Sequence, residues 1–300
     1  MEDRKKYIGG SDIAAVMGLS RYSTPLKLWA EKIGQIEPDD LSDKEYVQLG
    51  SELEDFIAKK FAKSTGMKVR QAPQRYVHKK YPFMACQVDR LIEGTDMLLE
   101  CKNASAWREK EWRDEEIPLE YILQVSWQLM ITGRSKGYIA VLIGGNKFRF
   151  KEIQADQELF DKMSEVAIKF WQMVQDKTPP AATGDDNEVL LALYPKPNEQ
   201  ILVGLDFQAI EEMNDCIATL QKTKADIKEL DLQKDELEAK LKDVIKDNLG
   251  IKTEEYIVKW MPQAVSRLNY DALKADGVYE KYLDKKETRV LRISKNKEEK

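Results

Sequence analysis

Two acids and a lysine flank a tight turn in this 300-residue sequence, within the stretch CQVDRLIEGTDMLLECKN. Gly94 and Thr95 suit the loop of a two-residue β-hairpin, because glycine in the first central position favours a type II′ turn. Counting back from that loop places Asp89 directly opposite Glu100, and period-two alternation puts Lys102 on the same face of the sheet as Glu100. The hairpin is therefore predicted to bring two carboxylates and one ammonium group together.

Two carboxylates in such a pair repel each other unless a positive charge lies between them. Cys101 points to the opposite face and offers the site only its backbone carbonyl. Carboxylate and carbonyl oxygens are the hard ligands that Mg²⁺ or Mn²⁺ prefers, and a neighbouring lysine can polarise an attacking water molecule. These groups together are suited to metal-assisted hydrolysis of a phosphodiester. The alternative is that the acids are ordinary residues of a solvent-facing strand, with Lys102 as a surface ion-pair partner.

The composition limits the chemistry that this site can perform. The single histidine, His78, leaves little room for a Ser-His-Asp triad or a histidine-rich zinc site, so the chemistry is expected to use carboxylates and lysine. Cys86, Cys101 and Cys216 include no Cys-x-x-Cys pair, so we expect reduced, packed thiols. The chain has neither an apolar run of the roughly 18 residues that a membrane span needs nor an export signal at its N-terminus, so we expect a soluble, cytoplasmic protein.

Charge is distributed unevenly along the chain. The formal net charge is -5, yet residues 56–88 contain no acid at all while lysines and arginines accumulate there. A solvated basic face would explain this segregation, and so would a surface that binds phosphate groups. The sequence alone leaves both interpretations open.

Helix and strand patterns alternate over the first 177 residues. Ser11 is predicted to cap a first short helix, and Thr24, followed by proline, to cap a second one that ends at Gly34. A third helix is predicted from the helical spacing of Leu49, Leu53, Phe56, Ile57 and Phe61. The predicted elements, in order, are helices over 11–18, 24–34 and 49–66, strands within 70–92 and 97–103, a helix over 118–133, strands over 137–145 and 147–153, and a helix over 156–177.

The segment TPPAATGDDNE predicts a domain boundary after residue 178, with 179–206 as a linker and transition. Residues 207–249 are predicted to form a long helical segment, either a hairpin or a coiled coil, because apolar residues partly keep a seven-residue step. Residues 250–300 are predicted to be a small β/α tail. Its strands are expected in EYIVKW and TRVLRI, with a short helix over YDALKAD between them.

Four motifs in this order resemble the PD-(D/E)xK nuclease superfamily and, more closely, the lambda-exonuclease-like family of YqaJ viral recombinases. They cover residues 4 to about 150 and read RKKYIGGSDIAAVMGLSRYSTPLKLWAEKIG, LGSELEDFIAKKF, VDR...LLECKN and YILQVSWQLMITG. The resemblance implies an α/β (α+β) restriction-endonuclease-like core with a central mixed sheet flanked by helices, followed by a helical and β extension. It also implies a 5′ to 3′ exonuclease that uses two Mg²⁺ ions, or Mn²⁺, on linear double-stranded DNA ends in phage-type recombination.

The resemblance also implies roles for the residues that match the motifs. The metal ligands would be Glu54, Asp89, Glu100 and the Cys101 carbonyl; Lys102 would be the catalytic lysine, and Gln124 would orient water or contact the scissile phosphate. Alternatives exist for two of these positions. Glu54 is also an acid near a helix start, where Glu52 or Asp55 would serve equally well, and glutamines four residues apart are common on solvated helices.

Arg4 and Ser11 match the family residues that hold the terminal 5′-phosphate. Gly9 and Gly10 would let the backbone approach an anion closely, and Ser11 would open a helix whose N-terminal amides attract phosphate. The competing interpretation of Ser11 is a simple helix N-cap. Tyr121 and Gln128 match the family helix beside the site and are assigned to DNA contact.

The resemblance also implies partners, because they are known for lambda-type members of this family. Those members act on double-stranded DNA ends, form homotrimeric rings and work with a single-strand annealing recombinase. Two alternatives remain at this stage: an endonuclease on the same core, and a non-catalytic DNA-binding or assembly module that uses the helices of residues 207–249.

Overall fold

The computed structural model describes residues 4–72, 75–114, 116–197, 205–284 and 288–293. The chain forms two compact units, one that ends at Pro195 and one that begins at Lys196. No helix within the described ranges is both long enough and apolar enough to cross a membrane.

The strands of the first unit form a five-stranded mixed sheet and a separate two-stranded one. Their bounds are β1 Val69–Gln71, β2 Tyr76–Val77, β3 Ala85–Cys86, β4 Arg90–Ile92, β5 Met97–Ala104, β6 Lys136–Ile143 and β7 Lys147–Gln154. The large sheet has the order β1-β4-β5-β6-β7, in which β5 and β6 run parallel and the other neighbours run antiparallel, while β2 pairs with β3. This confirms the predicted central mixed sheet.

Helices cover both faces of the large sheet. Their bounds are α1 Ile13–Val16, α2 Pro25–Lys32, α3 Glu45–Thr65, α4 Leu119–Thr132, α5 Gln157–Asp176 and α6 Asn187–Leu193, with 3-10 helices at Arg4–Lys6, Ala106–Trp112 and Gly184–Asp186. The Thr24 side chain accepts a hydrogen bond from the Lys27 amide, which confirms the predicted cap of α2. Gly66 and Gly133 end α3 and α4 in the left-handed conformation that glycine adopts most readily.

The two faces of the sheet bury different apolar clusters. On one face, Ile57 and Phe61 of α3 pack against Leu99 and Leu142. Leu49 and Phe56, which were predicted on the same stripe, are 42% and 53% exposed. The predicted apolar face of α3 was therefore too wide, because only the side that carries Ile57 and Phe61 lies against the sheet.

On the other face, α4 lies close against β6, with α1 and α5 in the same apolar cluster. Gly137 of β6 permits this approach. A Cβ atom there would lie 2.9 Å from Leu98 Cδ1 and 3.0 Å from Val125 Cγ1, which is closer than carbon atoms pack. The buried face of α4 is thus brought directly over β5 and β6.

The first unit continues past the predicted boundary at residue 178. Asp186 is fully buried; it accepts hydrogen bonds from Thr24 and Thr183, and Val189 joins the main core. A Pro- and Gly-rich composition predicted a linker, but Asp186 closes a capping box with Thr183 and also accepts from Thr24 at the start of α2. Residues 179–195 are therefore part of the first unit.

The second unit contains α7 Phe207–Ile245, β8 Gly250–Lys252, β9 Ile257–Lys259, α8 Tyr270–Ala275 and a 3-10 helix at Tyr279–Tyr282. α7 is one continuous helix of 39 residues, so the hairpin alternative was wrong; its sequence contains no glycine or proline that would break it. The predicted strand in EYIVKW and the helix in YDALKAD are confirmed. Thr288–Ile293 form no strand, and the exposed Val290 and Leu291 have no sheet face to cover.

Candidate active site

The hairpin that carries the candidate site has the predicted register but a longer connection. The paired residues are Arg90 with Leu99, Leu91 with Leu98 and Ile92 with Met97. The connection spans residues 93–96 because the Thr95 hydroxyl donates to the Ile92 carbonyl and accepts from the Met97 amide. The predicted two-residue loop at Gly94 and Thr95 is therefore wrong, while the register that brings Asp89 to β5 is kept.

Asp89 lies immediately before β4 and reaches across to β5. Its Oδ2 accepts a hydrogen bond from the Cys101 amide at 2.8 Å. Burial, reinforced by the nearby Glu100 carboxylate, raises the pKa of Asp89 to about 8. The Asp89–Glu100 pair thus retains a proton at neutral pH unless a cation accompanies it.

Glu100 is the buried centre of the site and is 3% exposed. Its Oε1 accepts from Lys102 Nζ at 2.7 Å and from Gln124 Nε2 at 2.5 Å, while its Oε2 accepts from Gln128 Nε2 at 2.7 Å. The two glutamines stand one turn apart on α4, directly above β5. The structure therefore brings Glu100, Lys102, Gln124 and Gln128 together, and three donors fix the carboxylate of Glu100.

Lys102 is held as a charged ammonium group. Burial acts to lower its pKa, but the attraction and hydrogen bond of Glu100 prevail and the pKa of Lys102 is raised. Its Nζ lies 5.3 Å from the ring centroid of Tyr121. The Tyr121 hydroxyl accepts from Arg108 at 3.0 Å and its ring stacks on Trp112, so this aromatic wall beside the lysine is fixed.

Glu54 lies next to the acidic pair but is not joined to it. Its carboxylate pairs with Arg90, whose Nη1 also donates to the Asp89 carbonyl at 2.7 Å. In the residues the structure describes, no group of three or more His, Cys, Asp or Glu side chains converges as a metal-ligand set. The sequence missed Arg90 because nothing in its local pattern shows that this strand residue turns toward α3.

A backbone bridge places the N-terminal segment beside the acids. Ile8 donates to the Phe83 carbonyl at 2.7 Å and accepts from the Ala85 amide at 3.0 Å. A cleft of about 200 Å³ results, lined by Arg4, Tyr7, Gly9, Gly10, Ser11, Cys86, Gln87, Asp89, Glu100 and Gln124. One cavity therefore joins the acidic pair to both residues that were predicted to bind the 5′-phosphate.

Arg4 and Ser11 meet in this cleft. Arg4 Nη2 donates to Ser11 Oγ at 2.8 Å and to Asp12 Oδ1 at 2.9 Å. Ser11 is not the N-cap that the sequence predicted, because α1 begins at Ile13 with Asp12 before it, and the charged guanidinium takes the Ser11 hydroxyl. Asp12 was not predicted as a residue of this site, although it follows Ser11 directly in the sequence.

One arginine of the basic segment, residues 56–88, lies beside this cleft. The Arg75 guanidinium stacks over the Tyr7 ring, 4.6 Å from its centroid, and Tyr7 lines the cleft. Lys59, in contrast, pairs with Asp55 on the exposed side of α3. Lys59 therefore belongs to a solvated face, whereas Arg75 places one positive charge next to a residue of the cleft.

Comparison with known proteins identifies the family of this chain. The model described as the YqaJ-like viral recombinase domain matches residues 1–135. The protein YqaJ of Bacillus subtilis (strain 168) is 39% identical over 298 residues, which cover 97% of this chain and 91% of that protein. The chain belongs to the YqaJ-like viral recombinase family. The resemblance inferred from the four motifs is thereby confirmed.

A solved structure shares the fold of this family member. The alkaline exonuclease LHK-Exo of Laribacter hongkongensis matches with a TM-score of 0.50 and 21% identity, over 58% of this chain and 90% of that chain. The same enzyme has also been solved in complex with dAMP, with the same agreement. The predicted fold class, an α/β core with a central mixed sheet flanked by helices, is confirmed.

Proposed function

We propose that this chain is a Mg²⁺-dependent DNA exonuclease that degrades linear double-stranded DNA from 5′ to 3′. The observation that carries the proposal is the cleft that joins Asp89, Glu100 and Gln124 to Arg4 and Ser11. A hydrolytic centre and an anion-binding pair in one cavity suit an enzyme that removes a terminal nucleotide. The DNA substrate is supported by the recombinase family and by the exonuclease that shares the fold.

The residues of the centre have separable tasks in hydrolysis. Lys102, kept charged by Glu100, can orient the attacking water and neutralise charge on the phosphate as the transition state forms. Gln124 and Gln128 hold the Glu100 carboxylate, and Tyr121 provides a fixed wall for Lys102. This arrangement preorganises the charges before the substrate binds, which is the main source of electrostatic catalysis.

The donor set fits a hard divalent cation. Asp89 and Glu100 supply carboxylate oxygens, and the raised pKa of Asp89 indicates that the pair needs added positive charge to stay ionised. A bound Mg²⁺ or Mn²⁺ would supply the Lewis acid for water activation and leaving-group stabilisation. Asp89 and Glu100 would hold it, with the Cys101 carbonyl beside them; for a second ion, Glu54 would have to exchange its bond with Arg90.

Arg4 and Ser11 would bind the terminal 5′-phosphate and so set the direction of degradation. Arginine recognises phosphate with charge-assisted hydrogen bonds, and Gly9 and Gly10 keep the cleft wall free of side chains. LHK-Exo, which has this fold, was solved with dAMP, a 5′-mononucleotide of the type such an enzyme would release.

We also propose the cellular setting that the family suggests. The substrate would be double-stranded DNA ends in the cytoplasm, during homologous recombination of the phage type. The resulting single strand would pass to a single-strand annealing recombinase, and a homotrimer would enclose the duplex. The description of the family as viral recombinases supports this setting.

The proposal is tested with linear duplexes labelled at the 5′ or the 3′ end and with covalently closed circular DNA. With Mg²⁺, the wild type is expected to release label from 5′ ends as mononucleotide at once, to release 3′ label late, and to leave the circle intact. Lys102→Met should abolish release, whereas Lys136→Met, which removes a surface lysine paired with Glu152, should retain it.

Two outcomes would support the other candidates. Cleavage of the closed circle would identify an endonuclease on the same core. DNA binding without hydrolysis under any divalent cation would identify a binding module and would contradict the proposed exonuclease.

A further inference from the structure

A buried ion pair lies directly behind Arg4. Asp12, which is 7% exposed, accepts hydrogen bonds from Arg4 Nη2 at 2.9 Å, from Lys32 Nζ at 2.8 Å and from the Gly9 amide at 3.0 Å. Lys32 comes from the inner face of α2, and its Nζ also donates to the Arg4 carbonyl at 2.8 Å. Asp12 therefore binds the side chain of Arg4, and Lys32 binds its backbone carbonyl.

Stability alone does not explain why these charges are buried. The side chain of Lys32 is 4% exposed, and removing a lysine and a carboxylate from water costs about as much as their attraction returns. Apolar residues of similar volume would stabilise this position as well or better. The pair instead specifies one geometry, because Asp12 orients the guanidinium of Arg4 while its other oxygen anchors the glycine loop.

The charges of this cluster also suit an anion. Arg4 paired with Asp12 alone would be neutral, but Lys32 compensates Asp12 and leaves one net positive charge. The side chain of Arg4 is 59% exposed and lines the cleft, whereas Lys32 lies behind it. Arg4 thus carries the net positive charge at the cleft, because Lys32 neutralises Asp12 from the interior.

We propose that Asp12 and Lys32 are positioning residues that hold Arg4 ready to receive the terminal 5′-phosphate of DNA. This proposal rests on the proposed function, since it requires that Arg4 and Ser11 bind that phosphate. Asp12 fixes the orientation of the guanidinium, and Lys32 keeps the cluster positive. Neither residue touches the substrate.

Substitutions can separate the orientation of the Arg4 side chain from the net charge of the cluster. Asp12→Asn preserves the side-chain shape but removes the carboxylate, which makes the cluster more positive. Lys32→Met removes the buried charge and makes the cluster neutral. The double variant D12N/K32M has the same net charge as the wild type, lacks the carboxylate that orients Arg4, and leaves no buried charge without a partner.

The experiment measures kcat/KM on matched linear duplexes with 5′-phosphate or 5′-hydroxyl ends and compares the ratio of the two values. Arg4→Gln serves as the variant in which the preference is lost directly. Lys27→Met is the matched control, because Lys27 lies on the same helix but pairs with Asp39 near the surface. Circular dichroism establishes that each variant is folded before its ratio is compared.

The proposal predicts that D12N, K32M and the double variant each lower the 5′-phosphate preference by about tenfold or more, since each loses charge-assisted hydrogen bonds that orient Arg4. Lys27→Met should keep the wild-type ratio. If the single variants fail to fold, the double variant decides, because its buried cluster is electrically balanced.

Other outcomes would overturn the proposal in distinguishable ways. If D12N or the double variant keeps or increases the preference while Arg4→Gln loses it, net charge alone governs phosphate binding, and the positioning role is refuted while the proposed function stands. If the wild type hydrolyses both ends equally, phosphate recognition at Arg4 fails as part of the proposed function, and the positioning role fails with it.

Discussion

Asp89→Asn is expected to abolish hydrolysis and yet stabilise the cation-free protein. The folded protein raises the pKa of Asp89 from 3.8 to about 8. At pH 7 the folded protein must therefore retain a proton that the unfolded chain releases. Since pH 7 lies about three units above the ordinary pKa, the upper limit of this free-energy cost is about three times ~1.36 kcal/mol. Coupling to Glu100 reduces this cost, so we expect Asp89→Asn to raise the free energy of unfolding by about 2–4 kcal/mol, or the Tm by about 5–10 °C.

Asparagine suits this position because its side-chain oxygen can still accept the Cys101 amide. The sign of the pH dependence follows from proton binding. Between about pH 4 and pH 8, native wild type binds more protons than the unfolded chain, so its stability falls as the pH rises. Asparagine does not titrate, so the advantage of Asp89→Asn should grow across this window and level off above it.

The assay is thermal unfolding followed by circular dichroism in EDTA from pH 5 to pH 9. Asp161→Asn, an exposed aspartate of α5, is the control and should shift Tm little at any pH. Added Mg²⁺ should raise the Tm of the wild type more than that of Asp89→Asn. A variant that is less stable than the wild type at pH 8, or a gain that does not vary with pH, would refute the reasoning about the buried acidic pair.

Substitutions at three further positions test the packing and the polar contacts. Gln128→Leu should destabilise the protein by about 1–3 kcal/mol in urea unfolding, because Gln128 donates to both Glu100 and the Gln87 carbonyl, and it should lower kcat. Gly137→Ala should cost about 1–3 kcal/mol in the same measurement, since its Cβ would collide with two buried side chains. Tyr121→Phe should keep kcat within a few-fold, whereas Tyr121→Ala should reduce it about tenfold by removing the ring beside Lys102.

Local rules predicted the part of the fold that depends on neighbours in sequence. The register that brings Asp89 to Glu100 followed from counting around one turn, although the Thr95 hydroxyl lengthened the turn itself. The helix ends at Thr24 and Gly66 followed from capping chemistry. Such features are fixed by a few adjacent residues, so their pattern is visible in the sequence.

Contacts between distant elements were not predictable in the same way. Arg90 takes the carboxylate of Glu54 across the space between β4 and α3, and Lys32 reaches Asp12 from another helix. Asp186 accepts a hydrogen bond from Thr24, the N-cap residue of α2, and this contact ties residues beyond the composition-based boundary to the first unit. A charged residue in an otherwise apolar helix stripe, such as Lys32, is the one signal that could have indicated such a buried pair.

The central claim is that Asp89, Glu100 and Lys102 form a cation-dependent hydrolytic centre. The most direct measurement is single-turnover release of mononucleotide from a 5′-phosphorylated linear duplex by the wild type and by Glu100→Gln, with Mg²⁺ or with EDTA. Release is predicted only for the wild type with Mg²⁺. Equal release by Glu100→Gln, or undiminished release in EDTA, would contradict the account.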